Sequence, residues 1–203
     1  MIHQLTFTCI ILATLIACDK PEEENEVITV TDIDGNIYQT VTIGNQTWLA
    51  ENLKVTNYRD GSPISHVTDN AVWGDITTEA YCIPKNNSSN EVDTYGALYN
   101  WYALTDSHNI ALVGWHVPSD DEWKELEMFL GMSQSEADDE GSRGANEGSK
   151  LAGNTDLWCT GYPLGNDTEF GNSGFTALPG GYRHYANGNY YGIGGGAWFW
   201  SVN

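Results

Sequence analysis

Tyr182, His184, Tyr185, Tyr190, Tyr191, Trp198 and Trp200 crowd one late stretch of this 203-residue sequence, interleaved with glycine and asparagine. Flat aromatic faces stack on sugar rings, and asparagine amides hydrogen-bond hydroxyls. The chemistry on offer is recognition of a glycan or a protein. The plainer reading is that half of these rings fill the core of a small β-rich lobe.

Bond-breaking chemistry finds less to work with. His66, His108, His116 and His184 stand at no metal-ligand spacing, and no Gly-x-Ser-x-Gly elbow is present. His116 follows Trp115 just before a helix start and reads as structural. Acidic residues number 28 against eight Lys and Arg, yet no spacing selects a carboxylate pair for glycoside hydrolysis. The sequence predicts no catalytic residue and no enzyme, with an extracellular hydrolase as the weakest alternative.

Calcium is the one cofactor with a foothold. The run Asp138-Asp139-Glu140 is a candidate, without an ordered pattern of oxygen ligands. Asp32-Ile33-Asp34-Gly35-Asn36 resembles the start of a calcium loop, but the twelfth position, where a bidentate Glu belongs, is Ile43. It reads as a hairpin turn, and no metal ligands are assigned. The formal net charge of −20 repels phosphate backbones, so nucleic acid is excluded as a partner.

These side chains need elements to hold them. Val27–Thr31, Ile37–Ile43 and Gln46–Leu49 alternate and are separated by turns, which predicts a three-stranded meander. Tyr95, Tyr99 and Tyr102 share one helical face, which predicts a short helix within residues 95–104. Ser119 with Glu122 forms a capping box opening a helix, with Asp120 and Asp121 in its first turn. Trp123, Leu126, Phe129 and Leu130 make its apolar stripe, and Gly131 ends it. The acidic, glycine-rich residues 132–149 read as a mobile loop. Phe175–Arg183 and Ala197–Val202 are strand candidates. The Gly192–Gly196 run does not open a helix, so it is no phosphate loop. Heavy aromatic and glycine content argues for a loop-rich β or α+β fold rather than a helical bundle.

The N-terminus gives an address. An apolar run from Ile2 ends in Leu15-Ile16-Ala17-Cys18. It is too short to span a bilayer comfortably and reads as a lipoprotein signal, cut before Cys18, which would carry the lipids. Residues 18–26 form an acidic tether with nothing to bury. Removing residues 1–17 from 203 leaves 186, a single domain by the usual prior, over residues 27–203. Cys9 leaves with the signal, so Cys82 and Cys159 are the candidate disulfide outside the cytoplasm.

Four ordered segments carry a family resemblance: Ile43–Lys54, Tyr95–Ala103, Gly114–Trp123 and Gly174–Arg183. Over roughly residues 30–203 the chain resembles the Fibrobacter succinogenes major paralogous domain. The Trp115-His116-Val117-Pro118 run through Glu122-Trp123 also looks like a helix start of the formylglycine-generating-enzyme group. That resemblance implies a C-type-lectin-like fold. The oxidase activity of that group needs a late cysteine pair, which Cys159 alone does not supply. The acidic residues after Cys18 look like a surface-export signal of Bacteroidota lipoproteins, implying an outer-membrane anchor facing the exterior. Family members continue into further strands ending near a Ser-Val-Arg-Cys motif. The chain is therefore expected to be an incomplete domain or a shortened paralogue of reduced stability. Two functions stay open: a lectin-like binding domain for a glycan or protein, and an assembly module of the envelope.

Overall fold

Alternation and turns place the first three strands as the sequence predicts. The computed structural model describes residues 28–84, 89–160 and 163–202. The signal, Cys18, the tether and Val27 lie outside them. Strands β1 (Thr29–Thr31), β2 (Ile37–Ile43) and β3 (Gln46–Leu49) form an antiparallel sheet in the order β1-β2-β3. Tyr38 and Ile43 are buried and Ile37 is exposed; the two buried residues stand on opposite faces of the strand, so each face of β2 is covered at one end. Ile43 pairs with Gln46 across Gly44-Asn45, and Gly44 takes the left-handed conformation that this two-residue turn requires. The Asp32 turn is held by its own carboxylate. It accepts from the backbone of Asp34 and Asn36 at 2.9 Å and from the Tyr38 hydroxyl at 2.6 Å. Burial and this carboxylate together push the Tyr38 phenol far above its ordinary range.

Helix α4 (Asp120–Phe129) also forms as predicted. Both halves of the Ser119–Glu122 capping box are present, and Leu126 is fully buried. The stripe departs at one position: Phe129 lies over Gly44 but stays mostly exposed.

The helix expected within residues 95–104 is three elements instead. Helix α2 (Ser89–Tyr95) ends where Gly96 turns left-handed against Asn52 and Leu53. Strand β5 (Leu98–Tyr99) pairs with β4 (Tyr81–Cys82). Helix α3 (Trp101–Thr105) restarts behind Asn100, whose side chain accepts from Ala103 N. A left-handed glycine and a capping asparagine outweigh the aromatic periodicity.

Residues 132–149 are not a plain loop. Helices α5 (Gln134–Ala137) and α6 (Glu147–Leu151) lie there, and Ser133 with Glu136 makes a second capping box. Asp138 and Asp139 flank α5. Asp138 pairs with Lys124 at 3.2 Å, and the Asp139 carbonyl accepts from Arg143.

The two late strand candidates shrink. Strand β6 (Tyr182–Arg183) pairs only with β7 (Tyr190–Tyr191). Ala177 bridges Ala152, and Ala197 bridges Gly181, as single contacts. Pro179 has no N–H to offer a ladder, and Gly181 turns left-handed. Short antiparallel strands and a few short helices thus make a mixed α and β fold. A helix α1 (Asn70–Asp75) packs near the late hairpin, with no room for a Cβ between Gly74 and Ala186. Three buried clusters hold the fold, centred on Val55, Tyr58 and Ile64, on Ile43, Leu126 and Phe175, and on Val67, Trp73 and Cys82. No helix among the described residues is long and apolar enough to cross a membrane.

Candidate ligand-binding cleft

Alternation along β6 and β7 sorts the late aromatics into two groups. Arg183 and its partner Tyr190 turn inward, whereas Tyr182 and Tyr191 pair on the other face with ring centroids 5.8 Å apart. Arg183 is only 7% exposed. Its guanidinium donates to the Gly188, Val67 and Thr68 carbonyls at 2.6 to 3.0 Å and to Asn70 Oδ1. It lies over the Trp73 and Tyr190 rings at 4.5 and 5.0 Å. A buried cation answered by carbonyl oxygens and ring faces ties three segments together. Burial raises the Tyr190 hydroxyl and the neighbouring Cys82 thiol above their ordinary values.

The glycine-rich turn 192–196 serves Trp198. A Cβ added at Gly196 would stand 2.5 Å from the indole ring, and one at Gly192 nearer still. The ring is therefore seated on bare backbone and packs on Tyr182 at 4.9 Å, while 52% of Trp198 remains exposed. The ring is thus seated on one side and open to solvent on the other.

Residues 197–202 pass from Gly181, bridged by Ala197, to Pro118, whose carbonyl accepts from Val202 N. Trp200 donates its indole N–H to the Tyr99 carbonyl at 3.0 Å and packs on Trp101. Phe199 meets Trp123 and Phe175 at 5.3 and 5.6 Å, and Trp48 lies 4.8 Å from Trp123. The buried Trp48 Nε1–H and Gln46 Oε1 have no hydrogen-bond partner.

These parts border one cleft of about 1090 Å³, lined by seven of the eight tryptophans, all but Trp158. Of the residues singled out in the sequence, Tyr182, His184, Tyr185, Trp198 and Trp200 line it. Tyr190 does not, because it faces the core, and Tyr191 backs Tyr182 from outside the lining. His184 stacks on Tyr185 at 4.8 Å, and its Nδ1 accepts from Ala186 N. Sequence reasoning missed Trp48, Trp101, Trp115, Trp123, Phe175 and Phe199, scattered across the chain. Their available signal was the sheer number of tryptophans.

The cysteines and the Asp138 run lie outside the cleft lining, whereas His116 is part of it. Cys82 is buried beside Tyr190 and Arg183 while Cys159 sits exposed against Gly194, and both are free thiols rather than a disulfide. His116 Nε2 bonds Glu122 Oε1 at 2.7 Å, a partner in keeping with a structural part. Among the described residues, no group of three or more His, Cys, Asp or Glu is placed to hold a metal ion. Hydrogen bonding from Gln134 and pairing with Lys124 hold the Asp138 carboxyl below its usual range.

No curated protein and no solved structure is significantly similar to the chain. The family model of the Fibrobacter succinogenes major domain matches residues 41–203, which takes in β3, α4, the late hairpin and every cleft-lining residue. The chain therefore belongs to the Fibrobacter succinogenes major domain family.

Proposed function

We propose that this chain is a non-enzymatic, lectin-like binding domain carried on the outer membrane by lipids at Cys18, and that its aromatic cleft receives a glycan. The observation that carries the reading is Trp198. Its indole is held by Gly192, Gly196 and Tyr182 yet faces solvent. A ring fixed before binding loses little freedom on binding, and an apolar sugar face displaces water from it. A C-type-lectin-like relationship is in keeping with the short strands and the capped α4.

Affinity electrophoresis and glycan arrays with the full chain test this. Trp198→Ala is expected to abolish binding while near-ultraviolet circular dichroism keeps its native shape. Binding unchanged in a folded Trp198→Ala protein sinks Trp198 as a binding platform. Absence of binding by any form favours the envelope-assembly role. The anchor has its own test: a clickable palmitate analogue fed to expressing cells labels the wild type and leaves Cys18→Ser unlabelled.

A further inference from the structure

We infer that the occupant of the cleft is an uncharged glycan, and that chains bearing carboxylate or sulfate groups are turned away; this rests on the glycan reading above. The argument is the fate of every cation near the cleft. Among the described residues, Arg183 is the only lysine or arginine in its lining. Its donors go to three backbone carbonyls and Asn70, and both flanking rings cover it. It has no free edge to fork onto an anion.

The remaining cations are engaged elsewhere. Lys54 pairs with Glu51, Lys124 with Asp120 and Asp138, Arg143 with Glu127, and Lys150 with Glu169. Arg59 donates to the carbonyls of Ala111, Leu112 and Trp115. Among the described residues no lysine or arginine is without such a partner. The lining adds two carboxylates, Glu51 and Glu122, and the chain as a whole carries a net charge of −20. An acidic ligand would meet like charge with no described lysine or arginine left open to offset it. What the walls offer is ring faces, which an uncharged sugar face covers without leaving a charge unpaired.

Homogalacturonan isolates charge from shape, because methyl esterification removes the carboxylate charge and keeps the sugar backbone. The full chain would be titrated with fully esterified and de-esterified homogalacturonan, and with cellopentaose and mannopentaose as further neutral probes. At least one neutral probe should bind about tenfold or more tighter than the de-esterified chain. That binding should hold steady as salt rises from about 0.05 to 0.5 M, where exposed charge interactions are screened. De-esterified chains binding as tightly as any neutral probe, with affinity falling as salt rises, would overturn the inference and leave the glycan reading standing. No binding to any probe, with a native circular dichroism spectrum and no hit on a wider array, overturns both.

Discussion

The floor and the rim of the cleft are both aromatic, yet they are held in opposite ways. The floor is Trp48, Trp123 and Phe175, carried by β3, α4 and the buried cluster around Ile43 and Leu126. β3 and α4 fix the two tryptophans, Phe175 joins them from irregular backbone, and the three rings pack against one another. The rim is Tyr182, Tyr185, Trp198 and Trp200, carried by a two-residue hairpin and a segment with one backbone bridge. Bare glycine backbone seats Trp198, the buried Arg183 holds the Tyr182 hairpin, and the Tyr99 carbonyl with Trp101 holds Trp200. Floor rings owe their position to the hydrophobic core, whereas rim rings are positioned by special backbone and remain open to solvent. Aromatic content alone does not mark a binding site; exposure combined with fixed placement does.

Breaking the floor should unfold the domain. Phe175 is nearly buried and touches Trp48, Trp123 and Phe199. Phe175→Ala should cost about 3–5 kcal/mol, a large part of the roughly 5–15 kcal/mol that holds a typical domain. Denaturant unfolding reads this directly, and a loss under about 1 kcal/mol would mean that the floor is not core.

Arg183 is where the rim meets the core. Lysine keeps the charge but cannot reproduce the fork that reaches Val67, Thr68, Asn70 and Gly188. Arg183→Lys should leave buried carbonyls unpaired and cost about 2–3 kcal/mol. The same variant should loosen the hairpin, seen as faster amide exchange at residues 182–191 than at α4. Uniform exchange across both regions would deny the rim its separate support.

Gly196 sharpens the contrast from the other side. A methyl group there displaces the Trp198 indole, which has solvent to move into. Gly196→Ala should change stability by no more than about 1 kcal/mol and still remove glycan binding. A variant that binds as well as wild type would show that the glycine seat does not set the platform.

The same division decides what was legible from sequence. The meander and α4 follow from local codes: period-two alternation, glycine turns and a capping box. The Ser133–Glu136 box has the same spacing as Ser119–Glu122, so α5 was readable and was lost to the acidic composition around it. Gly96 and Asn100 broke the expected helix in residues 95–104 because a backbone signal outranks aromatic spacing. Five of the seven aromatic site residues line the cleft, since clustering in sequence made them visible. The floor was not legible, because Trp48, Trp123 and Phe175 converge only through long-range packing. The inward turn of Tyr190 depended on a hairpin register that two residues on each strand do not announce.

The smallest effect is a pH dependence confined to the floor helix. The Ser119 backbone N–H holds the Glu122 carboxyl below its ordinary value of 4.5, with His116 adding to this against a burial effect that raises it. A depressed folded value means that the contribution is present above the unfolded value. It fades as pH falls from about 4.5 through the lower folded value. Many other carboxylates titrate in the same window, so the informative quantity is the Tm difference between wild type and Glu122→Gln. A protonated Glu122 resembles glutamine, so the difference should be largest near neutral pH and shrink as pH falls through this window. Rim resonances of Trp198 and Tyr182 should follow the total stability and show no separate inflection, because glycine backbone and the carbonyl-bound Arg183, not a carboxylate, hold them. A Tm difference independent of pH would remove Glu122 from the account of how α4 holds the floor.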